Sequence, residues 1–331
     1  MSLRRRATLA IAAVMLTSAS GCTAAYDNDG DWAVAGRLSA PATKSPDAVS
    51  VVVDSDLAPD DLVALAYLLR HPDVRVLAIT VPTTGLVTCP TGVDLVGDLM
   101  AAVRVPAVPV SCGHTARGRH GTPFPTLWSM GAMTDNGLAR DTEDTADPVA
   151  APPPQLIARL ATAHPGLKVV ALGPMTELAA TLRRAPDAYA RLGEIVAMTG
   201  IADGASQQDG IGEWNAAADP DALAEVLAGP VPVTVVPHEV APLGPPAGMR
   251  APVVGSLGVL TSTPTPRFWD LATAGYFTER AAGATTTGTW TVELTGDSGR
   301  LHRAGDGPHT LVTGLDTDAL DAAYRAAFTA Q

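Results

Sequence analysis

The sequence predicts an α/β protein: an open, mostly parallel, Rossmann-like sheet with helices on both faces. Two observations carry this. Runs such as "VSVVVD" at 49–54 are continuously apolar and β-branched rather than alternating, as strands covered on both faces are. These runs then alternate along the chain with segments of helical period, which is how parallel strands are connected.

Taken in order, the first strand is followed by Leu62, Leu65, Ala66 and Leu69 at helical spacing, with Pro59, Asp60 and Asp61 in the opening turn. "VRVLAIT" at 74–80 predicts a second strand and 91–103 a second helix. Residues 113–153, rich in Gly, Thr, Pro and Asp, break the rhythm and predict a long loop over the site. The alternation then resumes: helix 154–164, strand 168–173, helix 175–184, strand 194–198, helix 219–228 and strand 231–237. "TWTVELTG" and "HTLVTGL" predict a hairpin, and 316–328 a final helix. No internal repeat interrupts this order.

With 331 residues, 47% of them hydrophobic, the chain has material for a large core. Its net charge of −12 repels phosphate and disfavours nucleic-acid polymers as partners. Residues 1–21 combine three arginines, an apolar stretch from Leu9 to Leu16 and small residues, which predicts an export signal too short to span a bilayer permanently. It ends in "ASGC", similar to a bacterial lipobox. Cys22 is therefore expected to carry lipid and anchor the protein on the extracytoplasmic face of the cell membrane. Ordinary cleavage and free secretion is the alternative. Residues 22–46 are polar and aperiodic and predict a flexible tether, leaving 47–331 as a single domain. Within the tether "DNDGD" opens like a calcium loop, but its twelfth position is Leu38, which cannot ligate. In an exported chain Cys89 and Cys112 are either bridged or two buried thiols.

The chemistry concentrates in "DSDLAPDD", which places Asp54, Asp56, Asp60 and Asp61 at one strand-to-helix junction. Carboxylates this close repel one another unless a cation holds them, and parallel sheets bind ligands at the carboxyl ends of their strands. Oxygen-only ligands favour calcium or magnesium. Ordinary capping by one aspartate at a helix start is the bland reading, and four acids in eight positions exceed what it requires. A second chemistry opens on similar residues: haloacid-dehalogenase-like phosphatases begin with a strand and D-x-D. They also use a Thr or Val where this chain has Ala58, and a later lysine, of which only Lys44 and Lys168 occur here.

"DSDLAPDD" resembles the "DTDPGIDD" signature of the inosine–uridine preferring nucleoside hydrolases. Four further segments resemble that family in the right order: "VALGPMTELAATLRRAPD" at 170–187, "IVAMTG" at 195–200, "GEWNAAADPDALAEVL" at 212–227 and "RFWDLATAGY" at 267–276. The resemblance implies the nucleoside hydrolase fold and a single bound Ca²⁺. Its ligands would be Asp56, Asp61, Asp270 and the main-chain carbonyl of Thr176. Asp56 would also be the general base for a water. Asp60, Glu213 and Asn215 would hold sugar hydroxyls, with Asp54 supporting the loop from behind. The implied reaction is hydrolysis of a ribonucleoside to ribose and free base, and relatives are commonly dimers or tetramers. The chain departs from the pattern at four places. Leu57-Ala58 replaces Pro-Gly. Gly85 and Gln207 stand where asparagines are usual near the sugar. Trp269 replaces a histidine that helps protonate leaving bases, which leaves His114, His120 and His238 as substitutes, His120 foremost. These departures also leave open a module that binds a nucleoside or sugar without efficient turnover.

Overall fold

The computed structural model describes residues 43–134, 147–207, 212–241 and 268–329. The export signal, Cys22, most of the tether and residues 135–146 lie outside the described residues. The strands are β1 (Val49–Asp54), β2 (Val74–Val81), β3 (Pro109–Cys112), β4 (Asp147–Val149), β5 (Lys168–Ala171), β6 (Glu194–Met198), β7 (Ile201–Ala202), β8 (Val233–Val236), β9 (Gly283–Thr295) and β10 (Ser298–Leu315). The main helices are α1 (Pro59–Arg70), α2 (Thr91–Ala102), α3 (Thr126–Thr134), α4 (Pro153–Ala163), α5 (Thr176–Arg184), α6 (Trp214–Ala218), α7 (Pro220–Leu227), α8 (Trp269–Thr278) and α9 (Thr317–Thr329).

The strands form one sheet in the order β4-β3-β2-β1-β5-β6-β8-β10-β7, with β9 paired to β10. Every pairing is parallel except the β9–β10 hairpin. Val51, Val52 and Val53 are fully buried because helices cover both faces, which is why β1 reads as an unbroken apolar run. Apolar side chains collect in two clusters. One is built on α1, α2 and α8, the other on α4, α5 and α7.

The position of β1 decides where a ligand can go. From β1 the chain builds outward through β2, β3 and β4, then returns to the other side of β1 to lay down β5, β6 and β8. The strand order therefore reverses between β1 and β5. The helices that follow these two strands diverge to opposite faces, and a crevice opens at their carboxyl ends.

The long segment after β3 is less irregular than its composition predicts. It contains α3 and the short strand β4, which pairs with β3. Its first part is tied down by polar contacts. Thr115 donates from its hydroxyl to Glu177 (2.7 Å), the Gly118 N–H to Asp219 (3.2 Å), and the Thr122 N–H to the Ala217 carbonyl (2.8 Å). A disulfide joins Cys89, just ahead of α2, to Cys112 at the end of β3, so of the two alternatives the structure shows the bridge. Among the described residues no helix is long and apolar enough to cross a membrane.

Candidate active site

The crevice is lined by residues from both sides of the reversal. β1 and the turn after it bring Asp56 and Ala58, and α1 brings Asp60 and Asp61. Leu172 follows β5, Glu213, Trp214 and Asn215 begin α6, and Trp269 and Asp270 begin α8. Leu86, Phe124, Trp128, Met198 and His238 complete the wall. It is open at its mouth and, open solvent included, spans about 560 Å³ of empty space. Five of its lining side chains are carboxylates and none is lysine or arginine.

The local sequence explains how these acids are held. Asp61 stands in the first turn of α1, where its carboxylate accepts the Ala58 N–H (3.1 Å) and the Ser55 hydroxyl (2.5 Å). This is one arm of a capping box, and it fixes the acid where the helix dipole favours negative charge. Asp56 accepts the Leu86 N–H at 3.1 Å, and its own carbonyl accepts the Val87 N–H at 2.9 Å. Asp54 lies fully buried behind the crevice and accepts the Thr80 hydroxyl at 2.5 Å. Of the two positions that replace Pro-Gly, Ala58 is extended (φ −60°) and has no need of glycine, whereas Leu57 carries the positive φ of 62°. A leucine there costs about 1 kcal/mol or more, strain stored at the rim of the site.

Asp60, Asp61 and Asp270 each present a carboxylate oxygen within 4.8 Å of the others, with Asp270 Oδ1 buried and lacking a hydrogen-bond partner. Burial, with repulsion from neighbouring acids, pushes Asp61 and Asp270 well above the usual carboxylate range, and burial raises Asp60 as well. Burial lifts Asp56 to about 7, Glu213 to about 7 and Asp54 to about 8. Several buried acids with an orphaned oxygen and no cation beside them suit a hard divalent metal ion. The residues present therefore fit the group that the acid pattern implies.

Glu213 is fully buried and caps α6, accepting the N–H groups of Asn215 (2.9 Å) and Ala216 (3.1 Å). Its own N–H donates to the Ser298 hydroxyl at 3.0 Å. Asn215 donates its side-chain amide to the carbonyls of Leu172 (2.8 Å) and Met198 (3.1 Å), and so ties the start of α6 to the ends of β5 and β6.

Four expected site residues are placed elsewhere. Thr176 is the first residue of α5, so its carbonyl points along the helix towards the i+4 N–H and not into the crevice. Its hydroxyl bonds Asp219 and Thr84, and the residue of this junction that reaches the cleft is Leu172. Gln207 turns its amide to Asp297 (2.8 Å) and Ser298 (2.6 Å) instead of to the cavity. His120 lies at the surface, paired with Asp221 at 2.7 Å. The histidine on the cavity wall is His238, its ring stacked on Trp269 at 4.8 Å. Gly85 lines nothing; the neighbouring Leu86 does. A Cβ on Gly85 would overlap Asp56 Cβ, and one on Gly173 would sit 3.0 Å from it, so two glycines grip Asp56 from either side. Gly85→Ala is expected to cost about 1–3 kcal/mol by overpacking, read as a lowered denaturation midpoint.

Residues missed from the sequence are Leu86, Phe124, Trp128, Met198, Leu172 and Trp214. Phe124 and Trp128 both pack on Trp214, with ring centroids 5.5 and 5.4 Å away. Their only sequence signal was aromatic residues in a segment otherwise poor in them.

Fold and cleft together define an α/β protein with an acidic small-molecule pocket at the reversal of its strand order. Residues 51–309 match the pattern of the family described as "Inosine-uridine preferring nucleoside hydrolase", and the chain belongs to that family. Its curated relatives include the pyrimidine-specific ribonucleoside hydrolase RihA of Salmonella paratyphi A, 25% identical over 211 residues, with 57% of this chain and 60% of that protein covered. An uncharacterized protein of Schizosaccharomyces pombe is 23% identical over 193 residues, covering 58% and 62%. The chain thus spans about three-fifths of the length of these curated relatives. Among solved structures, the inosine-uridine preferring nucleoside hydrolase from Bacillus anthracis superposes with a TM-score of 0.73 at 22% identity, covering 84% of this chain and 98% of that one. The purine-preferring ribonucleoside hydrolase from Gardnerella vaginalis gives 0.67 at 18% identity, covering 84% and 98%. These likenesses establish the fold, and family membership sets the phosphatase reading aside.

Proposed function

We propose that this protein hydrolyses the N-glycosidic bond of ribonucleosides, giving ribose and free base, with Ca²⁺ as its metal. One observation carries the reading: Asp56, Asp60, Asp61, Asp270 and Glu213 share one crevice that contains no lysine or arginine. Cleaving an N-glycosidic bond builds positive charge on the sugar, and carboxylates around the ring stabilise it. Asp56, Asp61 and Asp270 would hold the ion, joined in place of Thr176 by the Leu172 side of the crevice. The ion's contribution when bound is Lewis acidity towards a water and a fixed point for sugar hydroxyls. Asp56, fixed by the Leu86 N–H, takes the proton of the attacking water. Asp60 and Glu213 accept hydrogen bonds from the sugar hydroxyls, and Asn215 fixes the start of α6 against the ends of β5 and β6. The apolar wall of Leu86, Phe124, Trp128 and Trp214 shields the reacting centre from bulk water.

Export through residues 1–21 and lipidation at Cys22 would place this activity on the outer face of the cell membrane, serving nucleoside salvage. Assembly as a homodimer or homotetramer belongs to the same reading.

The test is ribose release from inosine, uridine, adenosine and guanosine, with added Ca²⁺ and with chelator. Ribose that appears with calcium and vanishes with chelator supports the proposal. Leu86 on the wall and Gln207 turned away favour a second reading, a module that binds nucleosides without turning them over. Saturable nucleoside binding with no ribose formed would establish that second reading instead.

A further inference from the structure

The Cys89–Cys112 disulfide occupies a place in the fold that overall stability alone does not require. β2 and β3 run side by side with Val81 opposite Cys112, and the Gly113 N–H donates to the Val81 carbonyl at 2.7 Å. The chain leaves β2, passes through residues 82–88 and returns at Cys89 to bond that same Cys112. Both ends of the loop are thus fastened at one point, the first by strand pairing and the second by sulfur. Resting on the calcium site proposed above, we infer that Cys89 and Cys112 are positioning residues for Asp56: their bridge holds the 82–88 loop shut over that carboxylate, and calcium affinity depends on it.

The inner side of the loop is what touches Asp56. The Leu86 N–H donates to Asp56 Oδ2 at 3.1 Å, and the Val87 N–H donates to the Asp56 carbonyl at 2.9 Å. Gly85 lies so close that a Cβ there would overlap Asp56 Cβ. Leu86 also forms part of the crevice wall. The first half of the loop has ties of its own to the body of the protein. The Thr83 hydroxyl donates to the Thr115 carbonyl at 2.6 Å, and the Thr84 and Thr176 hydroxyls share a hydrogen bond of 2.7 Å. In the second half the N–H groups of Leu86 and Val87 both end on Asp56 itself. Those two bonds can fix Asp56 only if the loop is held by something else. The bridge at Cys89 holds it, helped by the fully buried Val87 side chain.

Charge gives this restraint its purpose. Asp56, Asp60, Asp61 and Asp270 share the crevice, and when ionised without a cation they repel one another. Asp60 and Asp61 are carried by α1 and Asp270 by α8, whereas Asp56 stands in the turn between β1 and α1. It is the acid of the four that no helix holds, and the loop above it opposes its displacement. Partners that orient a metal ligand from behind typically change affinity by about 10–100-fold when they are lost. A loosened loop therefore weakens metal binding although every ligand is still present.

The experiment uses the full-length chain in three forms: oxidised wild type, wild type reduced in its native state, and the Cys89→Ser/Cys112→Ser variant. Both cysteines are half-buried, within reach of a small reductant. A water-soluble trialkylphosphine turns the bridge into two thiols and leaves as the phosphine oxide, with water supplying the oxygen and both protons; it is removed before measurement. Calcium affinity is read by titration calorimetry, and amide hydrogen exchange is followed residue by residue in chelator. Both unbridged forms are expected to bind calcium about 10–100-fold more weakly than the oxidised protein. Exchange should quicken at Leu86 and Val87 far more than in β1 or β5. Reoxidation of the reduced form by glutathione disulfide, which becomes two glutathione thiols, should restore the affinity. A bridge that acts only on overall stability leaves the calcium affinity of the folded protein unchanged, and that result overturns the inference while the hydrolase reading stands. Exchange that quickens evenly through the sheet, with no excess at Leu86 and Val87, overturns it as well. Where the double variant does not fold, the reduced wild type decides by the same two measurements. Oxidised wild type that binds no calcium overturns the proposed metal site, and this inference falls with it.

Discussion

Asp270→Asn is expected to make the metal-free protein more stable at pH 8 while abolishing its stabilisation by Ca²⁺. The two effects have one cause. Asp270 Oδ1 is buried without a partner, and the Asp270 carboxylate has an oxygen within 4.8 Å of those of Asp60 and Asp61, so ionising it raises the energy of the unliganded fold. Asparagine keeps the shape and removes the charge, which relieves repulsion worth on the order of 1–3 kcal/mol. Wild-type protein should gain about 4 kcal/mol at a calcium concentration 1,000-fold above Kd, because only the folded state offers the site. The variant should gain almost nothing, and its hydrolysis should fall by about 10²–10³-fold or more. Thermal unfolding with calcium and with chelator, run beside ribose release, reads all of this. A variant that keeps the wild-type calcium shift removes Asp270 from the site.

The second large effect concerns pH. Asp56 and Glu213 titrate near 7 in the fold and Asp54 near 8, all raised by burial from ordinary values of 3.8 for Asp and 4.5 for Glu. Asp60, Asp61 and Asp270 are raised too. Above the ordinary value the unfolded chain has released these protons while the folded chain still holds them. The folded state then binds more protons, so stability falls as pH rises. For Asp54, Asp56 and Glu213 the loss begins near pH 4 and is complete once the pH passes their folded values, near pH 8, and the other raised acids add to it in the same direction. Metal-free protein should therefore unfold several degrees lower at pH 8 than at pH 5.5. Calcium should reverse the trend, since it binds the ionised acids and its stabilisation grows with pH. Midpoints measured in chelator that rise between pH 5.5 and pH 8 would contradict the buried-acid cluster.

How far this site could be read from the sequence depended on the kind of signal. The buried strands and their helices follow from apolar period, and the structure has them within a few residues of expectation, whereas the final hairpin is longer than expected, with β9 beginning at Gly283 and β10 at Ser298. Asp56, Asp60, Asp61, Glu213, Asn215, Trp269 and Asp270 share the cleft because each sits one or two residues beyond a strand or at the start of a helix, a position that sequence marks. What escaped depends on side-chain direction. Thr176 and Leu172 are four residues apart at one junction, yet only the second precedes the helix and reaches the crevice. Gly85 and Leu86 are adjacent, and which of them faces a ligand is decided by the packing of Gly85 on Asp56. His120 and His238 look alike as isolated histidines, and tertiary contacts alone separate a surface ion pair from a stacked ring on the wall. The helix α3 was obscured by the Gly- and Pro-rich residues on either side of it.

The tip of the β9–β10 hairpin reaches back to Glu213: Ser298 accepts its N–H from 85 residues further along the chain. The hairpin must therefore be available before the Glu213 wall of the crevice can set. Such long-range closure is slow compared with local helix formation. The sheet around β1 and β5 can assemble without it, but the crevice closes late, when the β9–β10 hairpin docks.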